Sequence, residues 1–383
     1  MRIITQTGEL ETLCDELRES AFITVDTEFM RERTYWPKLC LIQVAGETTE
    51  AIIDPLSNRI SLGSFYDLMG NANILKVFHA ARQDIEIFFQ ASQRIPHPLF
   101  DSQVAAMVCG FGDQVGYEAL IKRLTGGKVD KGSRFTDWAR RPLSDKQLAY
   151  ALADVTHLRD AYPILRKHLK NNGREHWLAE EMAVLESAST YELKPEDAWR
   201  RLKLRNPGKR ALAILIELAA WRERAAQRRD LPRRHVLKDE VLHAIAASPP
   251  MREEDLENIR GLSRGFSRSS MARGVIEAVK AGKARDLETL PSLNKARPAQ
   301  PAPGAIAEML KVVLKIICEQ HGVAPKLIAS AADLERIAAD DNANVPALTG
   351  WRRELFGEVA LAVKKGQKCL ALENARPVLI DRV

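Results

Sequence analysis

Apolar and polar positions alternate along Ala21-Phe-Ile-Thr-Val-Asp-Thr-Glu-Phe29. Ile23, Val25, Thr27 and Phe29 fall on one side, and Thr24, Asp26 and Glu28 on the other. This period of two predicts a strand with one buried face and two carboxylates projecting together from the opposite face. Two shorter apolar runs, Leu39–Ala45 and Ala51–Pro55, predict further strands, and the polar loops between them an antiparallel meander. Farther along, Ser64–Met69 predicts a short helix, Ile74–His79 a fourth strand and Asp84–Gln90 the helix after it. Leu99–Asp101 reads as a fifth strand, followed by helices over Ser102–Cys109 and Tyr117–Leu124. Ser144-x-x-Gln147, just past Pro142, is a capping-box pattern that opens a helix running through Tyr150 and Asp154 toward Lys170, with a kink expected at Pro163. Strands first and strand–helix alternation afterwards predict an α/β domain with a mixed sheet.

Past Glu192 the strand pattern disappears. Helical stretches follow, separated by Pro207-Gly208, by Pro249-Pro250 and by Leu290–Gly304, which carries Pro291, Pro298, Pro301 and Pro303 and reads as a linker. The expected organisation is an α/β domain over 1–192, a small all-α domain over 193–289, a proline-rich linker over 290–304 and a second small all-α domain over 305–383.

A chain of 383 residues, 45% hydrophobic and 28% charged, is long enough for such domains to build their own cores. Its five cysteines are scattered, with no Cys-x-x-Cys. That argues against a disulfide framework and a zinc finger, and fits a reducing, cytoplasmic setting. No signal pattern opens the chain, and the longest apolar run, Ala211–Ala220, is broken by Glu217 and reads as a buried helix, so no membrane partner is expected. The net charge of +6 is unevenly spread. Residues 1–190 hold 22 Lys+Arg against 26 Asp+Glu, residues 191–383 hold 35 against 25, and 200–234 alone hold 12 against three. An acidic front half and a basic rear half predict chemistry in front and polyanion binding behind.

Two carboxylates side by side on a buried strand repel each other and lose hydration unless a cation sits between them. Asp84 is expected at a helix N-terminus, where the dipole favours a carboxylate. Tyr150 and Asp154, four apart on a helix, point from one face. Asp26, Glu28, Asp84 and Asp154, with Tyr150, form an all-oxygen set without His or Cys, suited to Mg²⁺ or Mn²⁺ and not to zinc.

Asp26-x-Glu28, then Asp84, then Tyr150-x-x-x-Asp154 resembles the DEDD 3′–5′ exonucleases in their tyrosine subgroup. The longer stretches Asp26-Thr-Glu-Phe-Met-Arg-Glu-Arg-Thr-Tyr-Trp-Pro-Lys-Leu-Cys-Leu-Ile-Gln43, His79-Ala-Ala-Arg-Gln-Asp-Ile85 and Asp137-Trp-Ala-Arg-Arg-Pro-Leu143 are similar to the ribonuclease D family, as is Tyr150-Ala-Leu-Ala-Asp-Val-Thr-His157. Leu218-Ala-Ala-Trp-Arg-Glu-Arg-Ala225, Asp230-Leu-Pro232, Val236-Leu-Lys-Asp239 and Ile259-Arg-Gly261 resemble the helicase-and-RNase-D C-terminal (HRDC) domain, and Ala305–Leu372 a weaker second copy.

The resemblance implies a ribonuclease H-like exonuclease fold followed by two HRDC domains. It implies two divalent cations: Asp26 bridging both, Glu28 and Asp154 completing the first, and Asp84 holding the second near the leaving 3′ oxygen. Tyr150 would orient the attacking water. The implied activity is trimming of structured RNA, such as tRNA precursors, from the 3′ end with release of 5′-mononucleotides. The four carboxylates alone leave a DNA exonuclease open. Phe29 and Met30 are candidates to pack on the last nucleotide, His79 to contact it, and Lys131 and Arg134 to reach a phosphate. Trp199 and Trp221 are candidates for base stacking or for the helical core. A monomer is expected.

Overall fold

The computed structural model describes residues 1–129, 132, 136–204, 206–291 and 304–382. The front of the chain folds as β1 (Ile3–Ile4), α1 (Thr7–Arg18), β2 (Phe22–Met30), β3 (Lys38–Ala45), β4 (Glu50–Ile53), α2 (Gly63–Met69), β5 (Leu75–Phe78), α3 (Arg82–Ser92), β6 (Leu99–Asp101), α4 (Ser102–Val108), α5 (Tyr117–Thr125), α6 (Asp145–Asn171) and α7 (Glu175–Leu185). The six strands form one sheet in the order β1-β4-β3-β2-β5-β6. Strands β2, β3 and β4 are neighbours in chain order, as a meander requires, and β3 and β4 run antiparallel. On the other side of β2 the sheet turns parallel, with Thr24 beside Val77 and Phe78 beside Asp101. The sheet is mixed, as the strand–helix alternation predicts.

At the start of the chain two elements went unread in the sequence. β1 is two residues long, too short to show a period, and is held by parallel pairing with β4. α1 buries Leu10, Leu13, Cys14 and Leu17, an i, i+3, i+4, i+7 stripe that the polar residues between them obscure. The Ser144–Gln147 capping box opens α6 as expected. This helix passes through Pro163 and continues to Asn171, so the proline does not end it. All five cysteines are free.

The chain separates into two compact units. One contains Met1–Glu28, Leu41–Thr190 and the C-terminal helices Gly304–His321, Pro325–Ile328, Ala331–Ala339, Gly350–Arg352 and Glu358–Lys364, with a π-helical turn Arg353–Gly357. The C-terminal helices are therefore docked on the sheet domain. The Trp177 and Trp351 rings stack at 4.3 Å and 10°. Arg174 donates to the carbonyls of Val108 and Gly322 at 2.8 and 3.0 Å, and Arg352 pairs with Glu181. Among the described residues, the rear half also departs from the all-helical expectation, at the hairpin Lys368–Glu373 and Arg376–Asp381. Its two turn residues, Asn374 and Ala375, both take positive φ, the requirement of a tight two-residue hairpin turn. Asn-Ala is a weaker signal for that turn than Asn-Gly, which is why the hairpin went unread.

The second unit contains Phe29–Cys40 and the helices Lys209–Arg229, Arg233–Val236, Asp239–Ala247 and Ala272–Ala284. Trp199 is part of its core, and Trp221 lies against Gly274, where a Cβ would come within 2.2 Å of the indole nitrogen. Both tryptophans take the structural alternative, not base stacking. Tyr35 and Trp36 are clamped here: their backbone N–H groups donate to Asp230 at 3.0 and 2.9 Å, and the Tyr35 hydroxyl donates to the buried Glu223. Burial pushes the Glu223 carboxyl up, but its hydrogen bonds to Arg233 and Tyr35 outweigh this and hold it low.

Truncating Trp351 to alanine removes a fully stacked ring from the docked face and should destabilise the chain by about 3–5 kcal/mol. Urea unfolding followed by tryptophan fluorescence checks this; an unchanged midpoint would mean that the docking does not contribute to stability.

Candidate active site

Two adjacent parallel strands and one helix converge on one place. β2 carries Asp26 and Glu28, β5 leads through His79 into α3 with Asp84 in its first turn, and α6 presents Tyr150 and Asp154. One oxygen each from Asp26, Glu28 and Asp154 lie within 4.8 Å of one another. Asp84 stands outside that cluster of three. It is buried beside Asp26 and accepts a hydrogen bond from the Thr27 hydroxyl. The four carboxylates predicted to act together are thus brought to one site from three segments.

The electrostatics follow from that crowding. Desolvation and the neighbouring Asp26, Asp154 and Asp84 push the Glu28 carboxyl up to about 9. Desolvation and Asp26 raise Asp154 to about 8, against the pull of the Tyr150 hydroxyl bonded to it. Asp26 rises to about 6, through burial, and Asp84 rises well above the usual carboxyl range through burial and Asp26. Hard oxygen donors that hold protons for want of a counter-charge fit a divalent cation of the Mg²⁺ or Mn²⁺ kind.

A cavity of about 520 Å³ opens beside the cluster, lined by Asp26, His79, Gln103, Tyr117, Tyr150 and Asp154 among others. Tyr150 is half-buried and its ring stacks on Trp138 at 6.2 Å and 28°. His79 is in the cavity wall, its Nδ1 2.9 Å from the Ser102 hydroxyl and its pKa lowered by burial. Phe29 and Met30 are half-buried at the end of β2. Lys131 and Arg134 lie outside the described residues.

Sequence reasoning passed over two supporting residues. Asp101, 3% exposed, accepts backbone N–H groups from Ala80 (3.0 Å), Ala81 (2.8 Å), Gln103 (2.8 Å) and Val104 (3.3 Å). It caps α4 and holds the turn between His79 and Asp84, where Ala80 adopts a left-handed φ of 59° that a non-glycine residue keeps only under constraint. The signal was an Asp at the end of a strand directly before a helix, an N-cap pattern. Tyr117 donates its hydroxyl to the Asp154 carbonyl at 2.5 Å and packs edge-on against His79, bracing both. Only the structure brings it there.

Residues 1–170 match the family model of the 3′–5′ exonuclease domain, and residues 211–279 the model of the HRDC domain. The ribonuclease D of Nitrobacter hamburgensis is 51% identical over 100% of both chains. The chain belongs to the ribonuclease D family. The ribonuclease D of Bartonella henselae is 48% identical over 98% of this chain and 93% of its own. The crystal structure of Escherichia coli RNase D, described as an exoribonuclease involved in structured RNA processing, matches with a TM-score of 0.82 at 30% identity. That match covers 95% of this chain and 98% of the other. The chain is accordingly a 3′–5′ exoribonuclease of a metal-dependent family, and its fold is an exonuclease domain with a mixed sheet followed by an HRDC domain and a helical C-terminal region. Among the described residues, no helix is long and apolar enough to cross a membrane.

The raised carboxyls set a pH dependence. The unfolded chain releases these protons near pH ~4, whereas the metal-free fold retains them to about 6 at Asp26, 8 at Asp154 and 9 at Glu28. Over that window the native state binds more protons, so stability falls as pH rises and levels off above it. Asp84→Asn removes one of the repelling charges and keeps an acceptor for Thr27. Metal-free melting curves should show this variant more stable than the parent at pH ~8 and converging with it toward pH ~4. A constant offset across that range would remove the electrostatic origin.

Proposed function

We propose that the site holds two divalent cations, Mg²⁺ or Mn²⁺, and hydrolyses the last phosphodiester of an RNA 3′ end, releasing 5′-mononucleotides. The observation that carries this reading is the cluster of Asp26, Glu28 and Asp154 oxygens within 4.8 Å, with Asp84 buried beside Asp26. When bound, paired cations stabilise the attacking and leaving oxygens of an in-line displacement.

The chain's own residues do the rest. Asp26 would serve both cation positions, Glu28 and Asp154 would help to hold one, and Asp84 would help to hold the other. Tyr150, bonded to Asp154 and stacked on Trp138, orients the attacking water. A phenol is too weak an acid to exchange protons readily near neutrality, so its part is positional. His79, in the cavity wall, contacts the terminal nucleotide, and Phe29 and Met30, next in the chain after Glu28, pack on it. Lys131 and Arg134 are proposed to meet a phosphate.

The exonuclease domain is assigned to 1–192, the first HRDC domain to 193–289, the linker to 290–304 and a degenerate second HRDC copy to 305–383. The 12 Lys+Arg against three acids over 200–234 supply the attraction for structured RNA. The E. coli enzyme's role in structured RNA processing supports structured RNA as the substrate class, within which tRNA precursors are the proposed substrate. The protein acts as a cytoplasmic monomer.

Asp26→Asn should unseat both cations and lower cleavage by at least ~10³-fold, several kcal/mol of charge stabilisation, while leaving RNA affinity near that of the parent. Matched 3′-labelled RNA and DNA oligonucleotides incubated with Mg²⁺, Mn²⁺ or EDTA test the whole reading. The expected result is stepwise loss of single 5′-mononucleotides from RNA, abolished by EDTA and by the substitution; full activity in EDTA would overturn it.

Tyr150→Phe keeps the stack on Trp138 and should slow single-turnover cleavage by ~10²–10⁴-fold. A parental rate would assign Tyr150 a packing role alone.

A further inference from the structure

Gln43 is 0% exposed, and neither its amide nitrogen nor its amide oxygen has a hydrogen-bond partner among the described residues. Buried amides are almost always paired, so an unpaired one at the centre of a sheet calls for a reason.

Its position supplies one. β3 is the sheet neighbour of β2, and the segment between Met30 and Lys38 is too short for a parallel crossover, which needs a dozen residues or more, so the two strands run antiparallel. The Thr24 hydroxyl reaches the Ala45 carbonyl at 3.3 Å, which brings Thr24 and Ala45 level. Two residues on along β2 is Asp26; two residues back along β3 is Gln43. The facing agrees. Thr24 also donates to the Val155 carbonyl of α6 at 2.8 Å, so Thr24 and, by alternation, Asp26 face α6. Glu50, paired across the ladder with Ala45, meets Arg159 of α6 at 3.0 Å, so Ala45 and Gln43 face α6 as well. Gln43 therefore flanks Asp26 on the same covered face.

We propose that Gln43 is a positioning residue for the cation site: its amide nitrogen donates to the Asp26 carboxylate in the cation-loaded state, fixing which of that carboxylate's oxygens bridge. The proposal rests on the two-cation reading of the site. A carboxylate shared between two cations must hold one rotation, and a neutral donor from the next strand can enforce it without adding charge to an already crowded cluster. A glutamine also suits the place better than a lysine, whose charge would compete with the cations.

The test uses the full chain with Gln43→Met, which keeps the volume and removes both unpaired groups. Two readouts are needed: thermal melting in metal-free buffer, and calorimetric titration with Mn²⁺ in the absence of RNA. Relieved of a buried unpaired amide, the variant should melt at or above the parent's temperature. Its Mn²⁺ affinity should fall ~10–100-fold, the usual effect of removing a partner behind a metal ligand. On labelled RNA, kcat should fall with KM little changed. Parental Mn²⁺ affinity and kcat would overturn the role of Gln43 whatever the melting temperature. Absence of Mn²⁺ binding by the parent would instead sink the two-cation reading beneath it. Should the methionine variant fail to fold, Gln43→Leu carries the test: it too removes the amide donor and adds no charge, so parental affinity there overturns the proposal as well.

Discussion

Repulsion among buried carboxylates is the constraint on which this molecule depends. Asp26 and Glu28 share one face of β2, Asp154 comes down on them from α6, and Asp84 is buried alongside. Without a cation the fold answers by keeping protons on them, with Glu28 pushed up to about 9 and Asp154 to about 8. An arrangement that opposes folding in this way persists because a divalent cation converts the same crowding into affinity. Local instability and catalytic capacity have one origin.

The surrounding structure holds that crowding in place. Asp101 gathers four backbone N–H groups and sets the turn that aims Asp84. Thr24 ties β2 to α6 through the Val155 carbonyl, and Tyr117 ties α5 to the backbone at Asp154. None of these touches the reacting atoms in the proposed chemistry; each fixes the backbone that carries a side chain which does. The stack of Trp177 on Trp351 continues the same support outward, making the C-terminal helices part of the exonuclease domain's compact unit.

Much of the fold was legible because the signals were local. The alternation at Ile23–Phe29 and the Ser144–Gln147 capping box each depend on a few adjacent residues, and β2 and α6 start or run where those residues predict. The site was legible for a related reason: carboxylates two apart on a strand or paired with a tyrosine four apart on a helix leave a spacing in the sequence. What stayed hidden is what tertiary contact decides. The strand Ile3–Ile4 exists only through its partner, and the hairpin after Lys368 uses a turn sequence with little propensity of its own. Docking of the C-terminal helices through Trp177 and Arg174 leaves no periodic trace. Trp199 and Trp221, which by type alone suit base stacking, are claimed by a helical core.

The central claim is that these carboxylates await cations with protons in their place. Its most direct test is calorimetric titration of the metal-free protein with Mn²⁺ at neutral pH in two buffers of different ionisation enthalpy. The account predicts two bound ions and a net release of protons on binding at neutrality, falling away as pH rises through the range in which Asp154 and then Glu28 ionise in the metal-free protein. Binding without proton release, or no binding at all, would contradict it.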